Sequence, residues 1–342
     1  MASKTHKAVN LQDIAERADV SIATVSKVLN GRSDVSDMTR SKVQKLLDDN
    51  QYTRRVSPNH RNDLIEIVFE KFDNLWGLEL LTGAIKEGRK LGLNVVISEN
   101  GSRSHPDPEW IDGVLKRRPY GVILVFSDLT PTEKKKLAAA HIPLATVDPY
   151  GDPAPENKAV LADNWTGGLL ATRHLLSLGH TRIGVITGPM EMMCSKARLD
   201  GYSAALEERG LTVDPDLIRS GDFTTPGGYK QALTLLKDPQ TRPSAIFAQS
   251  DLEAMGVYEA ARQLNIRIPQ DLSLIGFDDL QLSGYMGPAL TTIRQPLHDM
   301  AASATRMLID ARSGVESARR VILPTTLIQR DSTRRFTAPP ED

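Results

Sequence analysis

Near the start of the chain, ADVSIATVSKVLNG (residues 18–31) gathers small and hydroxyl-bearing side chains into one short stretch. A helix built only for packing favours long apolar residues and strong helix formers. Ser21 and Thr24, about one turn apart, can present hydroxyls to a phosphate, and a helix starting there adds its unpaired amides. Ile22, Ala23 and Lys27 then remain to reach base edges. An Ala or Ile suits a thymine methyl, and Lys donates to guanine O6 or N7. The same periodicity admits Ile22 as a core side chain and Lys27 as a solvated charge.

Elsewhere the reactive residue types do not assemble into catalytic patterns. The seven histidines are scattered, and the single cysteine, Cys194, has neither a disulfide partner nor an evident activating neighbour. The chain contains no G-x-x-x-x-G-K-[ST], H-E-x-x-H or G-x-S-x-G run. Asp278 and Asp279 are adjacent, and adjacent side chains point apart, which argues against an acid–base pair. No enzyme activity, metal or cofactor is expected.

The elements that must position these residues are legible. LQDIAERA sets Leu11, Ile14, Ala15 and Ala18 on one helical face. Ser21 caps a second helix, whose Val25, Val28 and Leu29 can face the first across small Ala15. Gly31 offers a left-handed stop, and Ser36 opens a third helix running to about Asp49 with Val43, Leu46 and Leu47 inward. Two short helices joined by a tight turn and backed by a third form a helix-turn-helix pattern. From Ile65 onward, apolar runs such as IEIVF, GVILVF and DLSLIGFDD alternate with helical segments in two series. The Pro- and Gly-rich DPYGDPAPENKAV separates them. That alternation predicts parallel sheets with helices on both faces and a ligand cleft at the strand carboxyl ends.

VNLQDIAERADVSIATVSKVLNG followed by VSDMTRSKVQKLLDDNQY closely resembles the DNA-binding head of the LacI/GalR family of bacterial transcription regulators. The resemblance continues through VLADNWTGGLLATRHLLSLGHTRIGVITG, ARLDGY, SDLEAMG, IGFDDL and PALTTIRQP, spanning roughly residues 9 to 335. It implies an N-terminal three-helix helix-turn-helix head plus an α/β two-lobed effector domain of the periplasmic-binding-protein-like kind. The expected boundaries are a head at 1–53, a linker or hinge at 54–64, an effector and dimerisation domain at 65–335, and a tail at 336–342. Lobe 1 is expected at about 65–162 and 294–324, lobe 2 at about 163–293 and 325–335. The family's base-reading positions fall on Ile22, Ala23 and Lys27, while Ser21, Thr24, Ser26 and Asn30 match residues that mostly touch the DNA backbone.

Two departures stand out. Asp19 occupies the turn where the family usually has Gly; Asp adopts a left-handed conformation better than most residues, so the turn is expected to survive. In TRRVSPNHRNDLIEIVF the usual hinge helix with its apolar minor-groove wedge is not evident, and Arg54, Arg55 and Arg61 stand as alternative phosphate or minor-groove contacts. The wedge role is transferred to no residue.

In the body, the resemblance maps effector contacts onto Asn74 and Trp76 in FDNLWG, Asp148 after TV, Arg198 in ARLDGY, Phe223 in GDF, Ser250 (beside Asp251) in AQSDLEAMG, Asp278 in GFDD, and Gln295 in TIRQP. The residue types suit a sugar: aspartates and an arginine bind vicinal hydroxyls, and Trp76 and Phe223 can cover the apolar face of a pyranose. Packing for Phe223, a structural cap beside Asp279 for Asp278, and a surface ion pair for Arg198 are the plainer readings. Asp163–Asn164 reads as a helix cap.

Composition agrees with a globular protein, with 40% hydrophobic and 25% charged residues and a formal net charge of -1. Residues 1–60 nevertheless carry ten Lys and Arg against seven Asp and Glu, a small basic head on an acidic body. The polar opening MASKTHKAVNLQD predicts no secretory signal, which with the head argues against a transporter's solute-binding protein. The expected protein is a cytoplasmic, nucleoid-associated sugar-responsive regulator, most readily a repressor, with no membrane partner. It would bind a pseudo-palindromic double-stranded operator as a homodimer or tetramer.

Overall fold

The computed structural model describes residues 11–29, 35–49, 63–102, 106–153 and 155–337. The chain divides into two compact units, Met1–Arg61 and Asn62–Asp342.

In the first unit, α1 (Leu11–Ala18), α2 (Ile22–Leu29) and α3 (Asp37–Asp49) enclose a small core of Ile14, Ala15, Ala18, Val25, Val28, Val35, Val43 and Leu47. Asp19 adopts a left-handed φ of 56°. The Val20 N–H reaches back to the Ala15 carbonyl at 3.0 Å, which closes α1. Asp therefore serves in this turn without glycine. Ser21 accepts the Thr24 N–H on its Oγ at 3.1 Å, and Ser36 does the same for Thr39 at 3.3 Å, so a serine starts each of the two following helices. The C-terminal stop at Gly31, the Asn30 contact and linker residues 54–62 lie outside the described residues.

The second unit carries two six-stranded sheets. The first runs β11 (Arg320–Leu323), β5 (Ala159–Ala162), β4 (Leu144–Val147), β3 (Gly121–Val125), β1 (Leu64–Phe69), β2 (Asn94–Glu99). The second runs β12 (Thr326–Ile328), β10 (Thr291–Arg294), β9 (Ser273–Asp278), β8 (Ala245–Ala248), β6 (Ile183–Thr187), β7 (Ile218–Ser220). Every pairing is parallel except β10 with β12. Central strands such as β3 and β9 are buried at every position, as expected of sheets covered on both faces. β1 begins at Leu64, one residue inside the stretch expected to be linker.

Helices α4 (Leu75–Lys90), α5 (Pro108–Arg117), α6 (Pro131–Ala139) and α11 (Leu297–Ser313) cover the first sheet. Helices α7 (Asn164–Ser177), α8 (Met193–Glu207), α9 (Thr225–Leu236) and α10 (Asp251–Gln263) cover the second. The chain crosses between the lobes three times: from β5 into α7, from β10 into α11, and from β11 to β12. Phe336, expected in the tail, is docked instead. Its N–H donates to the Leu178 carbonyl at 2.8 Å, and its ring lies 5.5 Å from that of His180. Among the described residues, no helix is long and apolar enough to cross a membrane.

Candidate functional site

Backbone strain marks the site before any side chain is considered. Phe126 (φ 52°) follows β3, Asp148 (φ 42°) follows β4, Phe223 (φ 63°) lies just past β7, and Asp278 (φ 123°) ends β9. Left-handed conformations of non-glycine residues cost about 1–3 kcal/mol each and gather where function requires them. All four lie at or just beyond strand carboxyl ends, where open α/β sheets place their ligands.

At these strand ends lies a cavity of about 540 Å³. Lobe 1 contributes Phe69, Glu70, Lys71, Asp73, Asn74, Trp76, Glu99, Gly101, Val125 and Phe126; lobe 2 contributes Met192, Arg198, Asp222, Phe223, Thr224, Ser250, Leu252 and Asp278. Of the eight residues singled out in the sequence, Asn74, Trp76, Arg198, Phe223, Ser250 and Asp278 line it. Asp148 and Gln295 do not, and both are buried.

Arg198 organises the lobe 2 wall. It is 2% exposed, which excludes the surface ion pair. Its Nε donates to Asn164 Oδ1 at 2.8 Å, its Nη1 donates to the Gln249 carbonyl, and its guanidinium lies 3.7 Å from the Phe277 ring centroid and 5.4 Å from that of Phe223. Asn164 thus orients Arg198, while its neighbour Asp163 supplies the N-cap of α7 through the Thr166 N–H.

Asp278 and Asp279 divide their labour. Asp279 is held by Arg294 at 2.7 Å and Arg330 at 2.6 Å, so it is the structural member. Asp278 lines the cavity and accepts from Gln295 Nε2 at 2.6 Å. Gln295 reaches the site through this bond, and its Oε1 is buried without a partner. Burial pushes the Asp278 carboxyl well above the usual carboxylate range, against the pull of Arg198. Asp148 is similar: burial raises it to about 6, opposed chiefly by Arg198, while the Ala162 N–H donates to its Oδ1 at 3.3 Å and its Oδ2 is unpartnered.

Several side chains double as structural parts. Asn74 caps α4, its Oδ1 accepting the Gly77 N–H at 3.0 Å, and Ser250 caps α10 through the Glu253 N–H at 3.1 Å. Trp76 lies in the first turn of α4, stacked on Phe126 with centroids 4.6 Å apart. Phe223 both lines the cavity and packs over Gly188, where a Cβ would lie 2.0 Å from its ring. Asp251 is a tie rather than a contact. It takes Leu280 N–H (2.9 Å), Thr292 Oγ1 (2.6 Å) and Ser283 Oγ, and it does not line the cavity.

Sequence reading missed Phe126, Phe69, Glu99, Asp222 and buried Glu253, which accepts the Phe223 N–H at 3.1 Å. For Phe69, Phe126, Glu99 and Asp222 the usable signal was position at or just past a strand carboxyl end, in IEIVF, GVILVF, NVVISE and SGDF, whereas Glu253 lies in the first turn of α10 and carried no such signal. In the head, Ile22 is 47% exposed, which removes its core reading, while Val25 and Val28 take the inner face. Ser21, Ala23 and Lys27 are exposed, and Thr24 and Ser26 half-buried, so α2 presents its small and polar face outward.

A three-helix helix-turn-helix unit and a two-lobed body with its cavity at the strand ends define the class: a DNA-binding head carried on a periplasmic-binding-protein-like domain. Residues 10–55 match the bacterial regulatory proteins of the lacI family, and residues 172–333 match the periplasmic binding protein-like domain. The chain is 34% identical to the HTH-type transcriptional repressor CytR of Escherichia coli (strain K12), over 97% of this chain and 98% of that protein. It is 32% identical to the ribose operon repressor of Haemophilus influenzae, over 94% and 98%. Its fold is similar to that of the transcriptional regulator CelR–cellobiose complex (TM-score 0.72, 28% identity, 95% and 99% covered). The lac repressor dimer bound to operator and the anti-inducer ONPF is comparably similar (TM-score 0.72, 27% identity, 96% and 100% covered). The chain belongs to the lacI family of bacterial regulatory proteins, as a sequence-specific DNA-binding regulator of transcription.

Proposed function

We propose that the protein is a cytoplasmic repressor whose operator affinity is set by a sugar bound in the interlobe cleft. The observation that carries this reading is the pairing of Arg198 and Asp278 on one wall of the cavity with the Trp76–Phe126 stack on the other. A guanidinium and a carboxyl group facing apolar ring surfaces match a hydroxyl-rich ring with one apolar face. A cavity of about 540 Å³ accommodates a mono- or disaccharide. Relatives support the reading, because similar regulators are described with cellobiose and with ribose bound.

In the head, Ile22, Ala23 and Lys27 read base edges, while Ser21, Thr24, Ser26 and Asn30 hold the phosphate backbone. One small head buries little DNA, so a homodimer on a pseudo-palindrome supplies the discrimination. Effector binding closes lobe on lobe about the three crossovers and changes how the heads engage the operator. The test is selection of genomic DNA fragments by the purified protein, repeated with a panel of sugars. A shared palindrome released by one sugar is the expected result. A palindrome tightened by the sugar would make the ligand a co-repressor, and specific DNA insensitive to every sugar would overturn the effector assignment.

A further inference from the structure

Glu253 is buried in the first turn of α10, yet it does not line the cavity. An acid at this position of a helix ordinarily folds back to the N–H of the N-cap residue. Glu133 does so in α6, where its Oε2 accepts the Thr130 N–H at 2.7 Å. In α10 the same spacing, Ser250 to Glu253, is put to another use. Ser250 Oγ still accepts the Glu253 N–H at 3.1 Å, but Glu253 Oε1 accepts the Phe223 N–H at 3.1 Å from a different part of the chain. Its Oε2 accepts the Ser250 hydroxyl at 3.3 Å, so both carboxyl oxygens are engaged.

The segment it reaches, Gly221–Thr224 between β7 and α9, requires holding. Phe223 is a bulky residue at φ 63°, a conformation that persists only where the surroundings enforce it. On one side of it, the Gly221 N–H donates to the Thr187 carbonyl at 2.7 Å. On the other, Asp222 Oδ1 accepts from Thr224 N–H at 3.0 Å and Oγ1 at 2.7 Å. The Phe223 N–H between them goes to Glu253. Gly221 gives the carboxyl room to approach, since a Cβ there would lie 2.2 Å from Glu253 Oε1. The ring so placed lines the cavity with its centroid 5.4 Å from the Arg198 guanidinium. Burial raises the Glu253 carboxyl well above the usual range, against the pull of the Phe223 N–H, so a neutral acceptor serves this bond.

Resting on the reading of the cleft as a sugar site, we infer that Glu253 is a positioning residue for effector binding: it sets the Phe223 ring where it covers the apolar face of the sugar, without touching the sugar itself. Without an acceptor at position 253 the Phe223 N–H loses its partner, and the turn relaxes out of its left-handed conformation. The ring then has to be ordered by the ligand, and affinity falls.

The test is calorimetric titration of the full-length protein with glucose, xylose, ribose, cellobiose and xylobiose. For the sugar that binds, Glu253→Met, which keeps an unbranched chain and removes the acceptor, should bind about tenfold more weakly. Glu253→Gln, whose amide oxygen can accept the same N–H, should recover most of the affinity. Gly221→Ala, which drives a methyl group against Oε1, should reproduce the loss from the loop side, and it decides the matter should Glu253→Met fail to fold. In a Phe223→Ala background, Glu253→Met should change affinity by less than about twofold, because the ring through which it acts is gone. A loss that adds in full to that of Phe223→Ala places the effect in the α10 cap instead and overturns the inference. Parent-like binding by Glu253→Met, or no recovery with Glu253→Gln, overturns it as well. Binding of no sugar by the parent protein overturns the reading of the cleft, and the role of Glu253 with it.

Discussion

Asp148 shows how one residue can be kept against its own stability. It is 2% exposed, left-handed at φ 42°, and leaves Oδ2 unpartnered. Burial lifts its carboxyl from 3.8 to about 6 in the folded protein. Between those values the native state holds a proton that the unfolded chain has released, so stability falls as pH rises through this window. Above it the full cost, on the order of 3 kcal/mol, persists. Asp148→Asn keeps the shape and the left-handed tolerance while removing the charge. It is expected to raise the Tm at pH 7.5 by several degrees and leave it unchanged near pH 3.5. Buried His174 and His180, whose pKa values are lowered by burial, shift stability in the opposite sense, so the variant-minus-parent difference isolates Asp148. A lower Tm at pH 7.5 would show that attraction to Arg198 outweighs desolvation.

Among elements, the contact of α7 with α8 holds Arg198 in place. The helices meet through glycines: a Cβ on Gly168 would lie 2.1 Å from the Arg198 carbonyl oxygen, and one on Gly201 would lie 2.1 Å from that of Trp165. Both obstacles are backbone, so a methyl group must push the helices apart. Overpacking of this kind costs about 1–3 kcal/mol. Gly168→Ala is therefore expected to lower the Tm and effector affinity together. Gly314, left-handed at φ 70° at the end of α11, provides the control: Gly314→Ala should lower the Tm alone. Equal effector affinities in parent and Gly168→Ala protein would separate helix spacing from the site.

At the scale of the whole molecule, reading DNA and sensing a ligand make opposite electrostatic demands, and the chain assigns them to different units. The head needs cations and hydroxyls for phosphates, whereas the cleft lining is rich in carboxylates. An allosteric coupling of about 1–3 kcal/mol would change operator occupancy 5- to 150-fold. Arg198→Ala is expected to abolish this response and leave basal operator affinity intact. Lys27→Ala is expected to weaken operator binding and leave ligand affinity unchanged. Crossed results, with the body variant losing DNA or the head variant losing ligand, would overturn the division.

The sequence by itself determined the helix-turn-helix head, the alternation of strands and helices, and the strand carboxyl ends where the cavity lies. Those features rest on local periodicity and on Ser, Asp and Gly preferences that act within a turn. Tertiary structure alone decided which residues share the cleft. Asn74 and Ser250 carry the polar types expected of ligand contacts, yet their oxygens cap helices. Asp278 and Asp279 are indistinguishable by type, and only Arg294 and Arg330 arriving from elsewhere in the chain separate them. Trp76 stacks on Phe126 across fifty positions of sequence, a pairing set by β3 ending beside the start of α4. Residue type fixes what a side chain is able to do, and its long-range neighbours fix whether it is free to do it.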